Sequence, residues 1–389
     1  MKITKKSLRG ILAALMAAVM LFSMAGCKNN KAKGDEIVIP QKKVAILVAP
    51  EAQFPEDYRA AKELAEEYPD TIIIKEYDDS RILKGGDPGI ITFSKELAAN
   101  PEIGAIVYAR ATQYTRNAIY KAKEINPDIV TVCIEPEDNI EELSDLSSLV
   151  LCVDWAKAAE DIVTQAKAQG AKYFLSFFVS RTMTSNKLVR DAVNALKTAC
   201  EAQGIKFISD SSADTNSVQI AGAQKYIGEA IARHFMNNDM EGKDIALFST
   251  DSAVQSTLFE QANKNGLIYI CPSFPTAYNG IGESLEIAAP EKVADVETYI
   301  KNAKDAVKAD TSGTAKLSMY KTPLAAILLR AAIHSAFDIL NGTTTAENMA
   351  EKVTSRLNVA ANNDSFSVAV YDKMSNVFKA YQPGFETLR

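Results

Sequence analysis

Histidine and tryptophan are the scarcest residues of this 389-residue chain, with two of the first and one of the second. His234 falls near the end of a long helical stretch, where a helix C-terminus favours a cation at the surface. His334 lies within the apolar run "AAILLRAAIHSAF", the place of a core residue. Neither follows a strand, so a Ser-His-Asp or Cys-His arrangement has no base. GxSxG, Walker A and HExxH patterns are absent too. The five cysteines form no CxxC or other metal-ligand spacing. Carboxylates are many, but no pair is marked by its spacing. The expectation is therefore a protein that is not an enzyme, with no metal and no cofactor. One glycine-rich stretch, "KGGDPGI" at 84–90, precedes a helical run; it reads as a tight turn and N-cap, or else as a backbone cradle for phosphate.

Charge is missing from residues 11–26, after a start that holds Lys2, Lys5, Lys6 and Arg9. A basic start, a short apolar core and small residues before a cut point make a secretory signal peptide. The apolar run falls short of the roughly 20 residues that span a bilayer comfortably. Its end, Ala25-Gly26-Cys27, resembles the lipobox of bacterial lipoproteins, with Met24 where leucine is commoner. That resemblance implies cleavage after Gly26, a diacylglycerol and a palmitate-type acyl chain on Cys27, and a protein held at the extracytoplasmic face of a bacterial cell membrane. Residues 27–42 are polar and aperiodic, a flexible tether.

Positive charge is in deficit. The whole chain has 43 basic and 49 acidic residues. Without residues 1–26, which carry four basic and no acidic side chains, the balance is 39 against 49, a net charge of −10. Nucleic-acid binding needs a basic face and is excluded on this ground. A polybasic membrane surface is excluded in the same way. Cys133, Cys152, Cys200 and Cys271 remain; three of them sit in apolar strand-like runs, as buried thiols do, and a Cys133–Cys152 bridge is the one pairing that neighbouring strands allow.

What is abundant is alternation. "KKVAILVAP", "TIIIKEY", "IGAIVYAR", "IVTVCIEP" and "SLVLCVDW" are apolar strand-like runs separated by helical periods. "AKYFLSFFVSR", "IKFISD", "DIALFST" and "LIYICPS" continue the pattern. Such alternation predicts parallel sheets with right-handed crossovers. Some 360 residues exceed one ordinary core, so two α/β lobes are expected. "VDWAKAAED" marks the first passage between them. Helical stretches follow at about 291–309 and 323–341, the second ending at Asn341-Gly342, and "SFSVAVYDKMSNVFKAYQPG" reads as a closing pair of strands.

In this arrangement the chain resembles the type 1 periplasmic solute-binding proteins, notably in "LSMYKTPLAAILLRAAIHSAFDILNG". "DIALFSTDSAVQSTLFEQANKNGLIYICPSFPTAYNG" is similar to a little-characterised family of bacterial lipoproteins with that fold. The resemblance implies two doubly wound parallel-sheet lobes joined by three crossing segments. The expected division is 43–153 plus 321–342 for the N-terminal lobe, and 154–320 plus 365–389 for the C-terminal lobe.

Open α/β sheets bind ligands beyond the carboxyl ends of their strands, and clefts between lobes are favoured ligand sites. The residues at those ends are the ligand-binding candidates. The first lobe offers Phe54, Arg110, Thr112, Tyr114 and Glu135, and the crossing offers Trp155. The second lobe offers Ser180, Arg181, Asp210, Thr250, Asp251, Phe274 and Tyr278. Trp155 reads equally as a stacking platform or a hinge plug. Arg110 and Arg181 favour an anionic or carbonyl-bearing ligand if they point into the cleft, and are structural if they pair with Glu135 or Asp210. The expected function is a lipid-anchored receptor that hands a small molecule to an ABC-type permease. Two alternatives stand beside it: a ligand-sensing lipoprotein coupled to a membrane signalling protein, and a lipid-anchored hydrolase. Cys27→Ser is expected to abolish acyl labelling and release the protein from membranes; tight association of that variant in high salt would contradict the anchor.

Overall fold

The computed structural model describes residues 36–51, 54–77, 88–214, 218–237, 244–274, 276–311 and 313–389. Cys27, the leader, the first part of the tether and positions 84–87 of the glycine-rich stretch lie outside these residues.

Continuous apolar runs build the middle of the first sheet. β1 (Lys43–Val48), β3 (Ile103–Tyr108), β4 (Val130–Ile134) and β5 (Leu149–Val153) are buried along almost their whole length, as strands covered on both faces must be. β2 (Ile72–Glu76), at the edge, is half-buried. The helices between them are α1 (Pro55–Glu67), α2 (Gly89–Ala99), α3 (Thr115–Ile125) and α4 (Ile140–Leu146). Strand order is β11-β12-β5-β4-β3-β1-β2, with the late strands β11 (Val368–Tyr371) and β12 (Met374–Ala380) at one edge. The first five strands thus follow a 2-1-3-4-5 winding, all parallel.

The second sheet repeats that winding. β6 (Tyr173–Val179), β7 (Lys206–Ser212), β8 (Ile245–Ser249), β9 (Ile268–Tyr269) and β10 (Lys316–Tyr320) are parallel, and β13 (Phe385–Thr387) adds antiparallel to β10. Its order is β13-β10-β9-β8-β6-β7. Its helices are α5 (Trp155–Ala168), α6 (Ser180–Ser185), α7 (Lys187–Gln203), α8 (Ile220–Asn237), α9 (Gln255–Asn265), α10 (Ile281–Leu285) and α11 (Val296–Ala309).

The chain passes between sheets after β5, after β10 and after β12. These passages hold one another. Asp154 N–H donates to the Ala380 carbonyl at 3.0 Å, which ties the first to the third. Tyr320 and Tyr381 stack at 5.7 Å, which ties the second to the third. Asp161 of α5 accepts from Tyr381 at 2.8 Å and from Gly384 N–H at 3.0 Å. After β10, α12 (Leu324–Leu340) returns to the first sheet, packs on β3, β4 and α1, and is covered by α13 (Met349–Ala361). Buried on nearly every side, α12 carries few polar groups, and the charged one at its core is paired. Arg356 of α13 grips Asp338 with two hydrogen bonds of 2.6 and 2.7 Å.

Two features depart from the expected reading. The strand pair β11–β12, expected in the C-terminal lobe with the rest of 365–389, joins the first sheet; only β13 belongs to the second. Val377 and Phe378 of β12 register against Val150 and Leu151 of β5, and all four are buried, so closing the open β5 edge decides the placement. The local pattern identifies the hairpin but not the edge that it covers. The helix α13 is the second departure, since the local pattern over 349–361 does not mark it. Cys133 and Cys152 are buried free thiols, without a bridge.

Candidate functional site

A 2-1-3-4-5 sheet reverses direction between its first and third strands, and the crevice outside the strand ends at that point is the ligand position of such folds. Here the reversals lie between β1 and β3 in one lobe and between β6 and β8 in the other. The chain leaves β1 toward Phe54, the N-cap of α1, and leaves β3 at Arg110. It leaves β6 at Ser180 and β8 at Thr250. The two ends face each other across a cleft with an inner cavity of about 180 Å³ and an outer chamber of about 900 Å³. Phe54, Glu56, Glu137, Asn186, Thr250 and Tyr278 line both, so the two are continuous.

Arg110 is the centre of the inner cavity. Its Nε and Nη2 donate to Asp57 Oδ2 at 3.2 and 3.0 Å. Its planar face lies between Phe54 of the first lobe, 4.9 Å away, and Phe274 of the second, 4.6 Å away. Guanidinium stacking on an aromatic face suits a cation that has lost its water. Burial alone would lower this group; Asp57, Glu135 and Glu137 outweigh it and hold the guanidinium above its ordinary range.

Three glutamates surround this pair. Glu56 is 6% exposed. Its Oε1 accepts from Ala326 N–H at the start of α12, at 3.1 Å, while its buried Oε2 has no protein partner. Burial pushes its carboxyl up to about 8, against the Ala326 N–H and Arg110. Glu135 has φ +47°, a left-handed backbone that a side chain other than glycine rarely adopts. That strained residue accepts from Val153 N–H, and burial pushes its carboxyl up to about 7 against Arg110 and that hydrogen bond. Glu137 is raised by burial against Arg110 and Arg181. Tyr114, with φ +79°, is a second left-handed residue of the cleft. Strain of this kind concentrates at functional positions.

The candidates read from the sequence fall into three groups. Phe54, Arg110, Glu135, Trp155, Thr250, Phe274 and Tyr278 line the inner cavity. Thr112, Tyr114, Arg181 and Asp251 line the outer chamber. Ser180 and Asp210 line neither. Asp210 is taken by His234 Nε2 at 2.9 Å, and His234 packs edge-on to Phe177, half-buried and not on the surface as expected. The ion pairs also differ from those considered: Arg181 pairs with Asp214 at 2.7 Å and Arg110 with Asp57. His334 is a core residue, beside Tyr68 Oη at 3.3 Å, and burial lowers it to about 4.

Glu56, Asp57, Glu137, Asn186 and Asn279 line the cleft without having been singled out. Glu56 and Asp57 follow Pro55 in the first turn of α1, where acidic residues are ordinary helix starters. Only their depth distinguishes them. The signal that points to them is position: they follow the end of β1 as closely as Phe54 does.

The model of the family described as "Protein of unknown function (DUF3798)" matches residues 42–318. No curated protein matches the chain. Among solved structures, one described as a "Putative transcriptional regulator" from Clostridium difficile 630 superposes with a TM-score of 0.69 at 19% identity, covering 90% of this chain and 100% of that one. A sugar ABC transporter protein from Actinomyces odontolyticus ATCC 17982 superposes with a TM-score of 0.51 at 10% identity, covering 80% and 87%. At these identities the likeness is one of fold: the two-lobed architecture of type 1 periplasmic binding proteins.

Glu56 makes stability depend on pH. Its proton is held up to about 8 in the folded chain and lost near 4.5 in the unfolded one. The folded chain binds the extra proton between these values, so this stability is complete below the lower and lost as pH rises through the upper. Glu135 acts with the same sign. The melting temperature is expected to fall across this window and to fall less in Glu56→Gln. An equally steep fall in the variant would contradict the placement of Glu56.

Proposed function

We propose that this chain, which belongs to the DUF3798 family, is a solute receptor that captures a small molecule between its lobes and delivers it to an ABC-type permease. One observation carries the reading. Both walls of the cleft present buried oxygens without a protein partner: Glu56 Oε2 from the first lobe, and Thr250 Oγ1 and Asp251 Oδ2 from the second. An unsatisfied buried polar group costs about 1–3 kcal/mol, and a bound solute removes that penalty. The lobes already meet around the cleft. Lys187 Nζ of α7 donates to Tyr371 Oη of β11 at 2.7 Å, and Tyr371 donates to Asp191 at 2.6 Å. A molecule that fills the gap would favour this closed arrangement over an open one.

The rest of the proposal draws on the leader and on the fold. The cysteine at 27 supports acylation and a place on the extracytoplasmic face of the membrane. The description of one structural neighbour as a sugar ABC transporter protein supports delivery to a permease. The second reading, in which the bound form is sensed by a membrane partner, draws on the same leader and the same two-lobed fold. Binding without turnover is favoured because neither histidine lines the cleft.

A thermal-shift screen of sugars, nucleosides, amino acids, amines, vitamins and peptides tests the receptor reading. A ligand at 100 times its dissociation constant should add about 2.7 kcal/mol of stability. A melting temperature that no compound class raises would contradict it.

A further inference from the structure

We propose that the cleft selects an organic cation, whose charged nitrogen is received by Glu56, Glu135 and Glu137. The proposal rests on the receptor reading and names its ligand class. Several helices begin at the cleft, and free helix N-termini would favour an anion. Here one of the protein's own carboxylates fills such a position, and two more lie by backbone N–H groups just ahead of two other helices. Glu56 takes the N–H of Ala326 at the start of α12. Glu135 takes that of Val153, just before α5. Glu137 lies by the backbone of Gln113, just before α3. An incoming solute therefore meets carboxylates where the backbone alone would offer donors.

The arginines do not offset this. Each one lining the cleft has a carboxylate of its own: Arg110 has Asp57 at 3.0 Å, Arg59 has Glu51 at 2.8 Å and Arg181 has Asp214 at 2.7 Å. No lysine or histidine among the described residues lines either chamber. Glu56, Glu135 and Glu137 thus face the inner cavity with no cation of their own, and Glu56 Oε2, on a side chain 6% exposed, has no partner at all. The groups facing Glu56 are Asp57 on its own helix, Arg110 from the end of β3, and Tyr278 from the second lobe. None of these is an unpaired positive charge.

The walls fit a cation in other respects. Trp155 and Tyr278 add aromatic rings to the lining of the inner cavity, and aromatic rings attract a desolvated ammonium group. A cavity of about 180 Å³ admits a compact head group, and the continuous outer chamber takes the remainder of the molecule. Glu56 and Glu135 hold protons up to about 8 and about 7, so an arriving cation displaces protons that burial keeps there.

Matched probes test the charge preference. Putrescine, 1,4-butanediol and succinate share a four-carbon frame and differ in charge; choline and 3,3-dimethylbutanol form a second pair. The wild-type chain should be stabilised by one or both cations and not by their neutral or anionic counterparts. Affinity for the stabilising cation should rise about fiftyfold or more from pH 6 to pH 8 as the carboxyls ionise. Glu56→Gln should weaken it at least tenfold and flatten that pH dependence, and Glu135→Gln is the second variant should the first fail to fold. If butanediol, succinate or sugars stabilise the chain and the cations do not, the cation proposal falls while the receptor reading stands. If the cations bind but Glu56→Gln and Glu135→Gln bind them as tightly as wild type, the assigned residues are wrong and the proposal falls. Silence from these probes and from the wider screen overturns both readings together.

Discussion

Arg110 can give its charge only once, and most of the cleft's chemistry follows from where it goes. The guanidinium is committed to Asp57 and clamped between Phe54 of one lobe and Phe274 of the other. Phe274 is thus held against a cation of the opposite lobe, which places the two walls face to face. A buried pair of this kind contributes little net stability, because desolvation of both ions offsets their attraction. What it supplies here is position: one α1 side chain, one strand-end arginine and one residue from each loop fixed at the seam.

The remaining glutamates are the consequence. A carboxylate buried near a half-charge helix terminus gains at most about 1–2 kcal/mol from it, less than the several kcal/mol that burial of an unpaired ion costs. Glu56 and Glu135 resolve this by holding protons well above the usual carboxylate range. Their backbone donors fix one oxygen of each, and both side chains line the inner cavity. Thr250 and Asp251 of the second lobe each carry a buried oxygen that no protein group satisfies. A cleft built so is less stable empty than full, which is what a receptor that closes on its solute requires.

Much of this was legible in the sequence. Continuous apolar runs identify the parallel strands, and their alternation with helical periods gives two lobes, because both signals are local. The strand-end rule then finds Phe54, Arg110, Glu135 and Trp155 without any view of the structure. What escaped is set by long-range geometry. The β11–β12 hairpin is plain as a hairpin, but its sheet is decided by the open edge of β5. Glu56 and Asp57 look like solvated residues of a first helical turn, and only the return of α12 from the other lobe buries Glu56. Arg181 and Asp210 follow strands as well as Arg110 does, yet their partners Asp214 and His234 lie elsewhere in the chain. Spacing shows which strand a residue follows; it does not show which neighbour reaches it first.

The central claim is that buried, proton-holding carboxylates receive the charge of the solute. Calorimetric titration of a bound cation in two buffers of different ionisation enthalpy measures the protons exchanged on binding. Near pH 7.5, where Glu56 is still largely protonated, a net release of protons is predicted, and the release should shrink in Glu56→Gln. Uptake of protons on binding, or binding heats that do not change with the buffer, would contradict it.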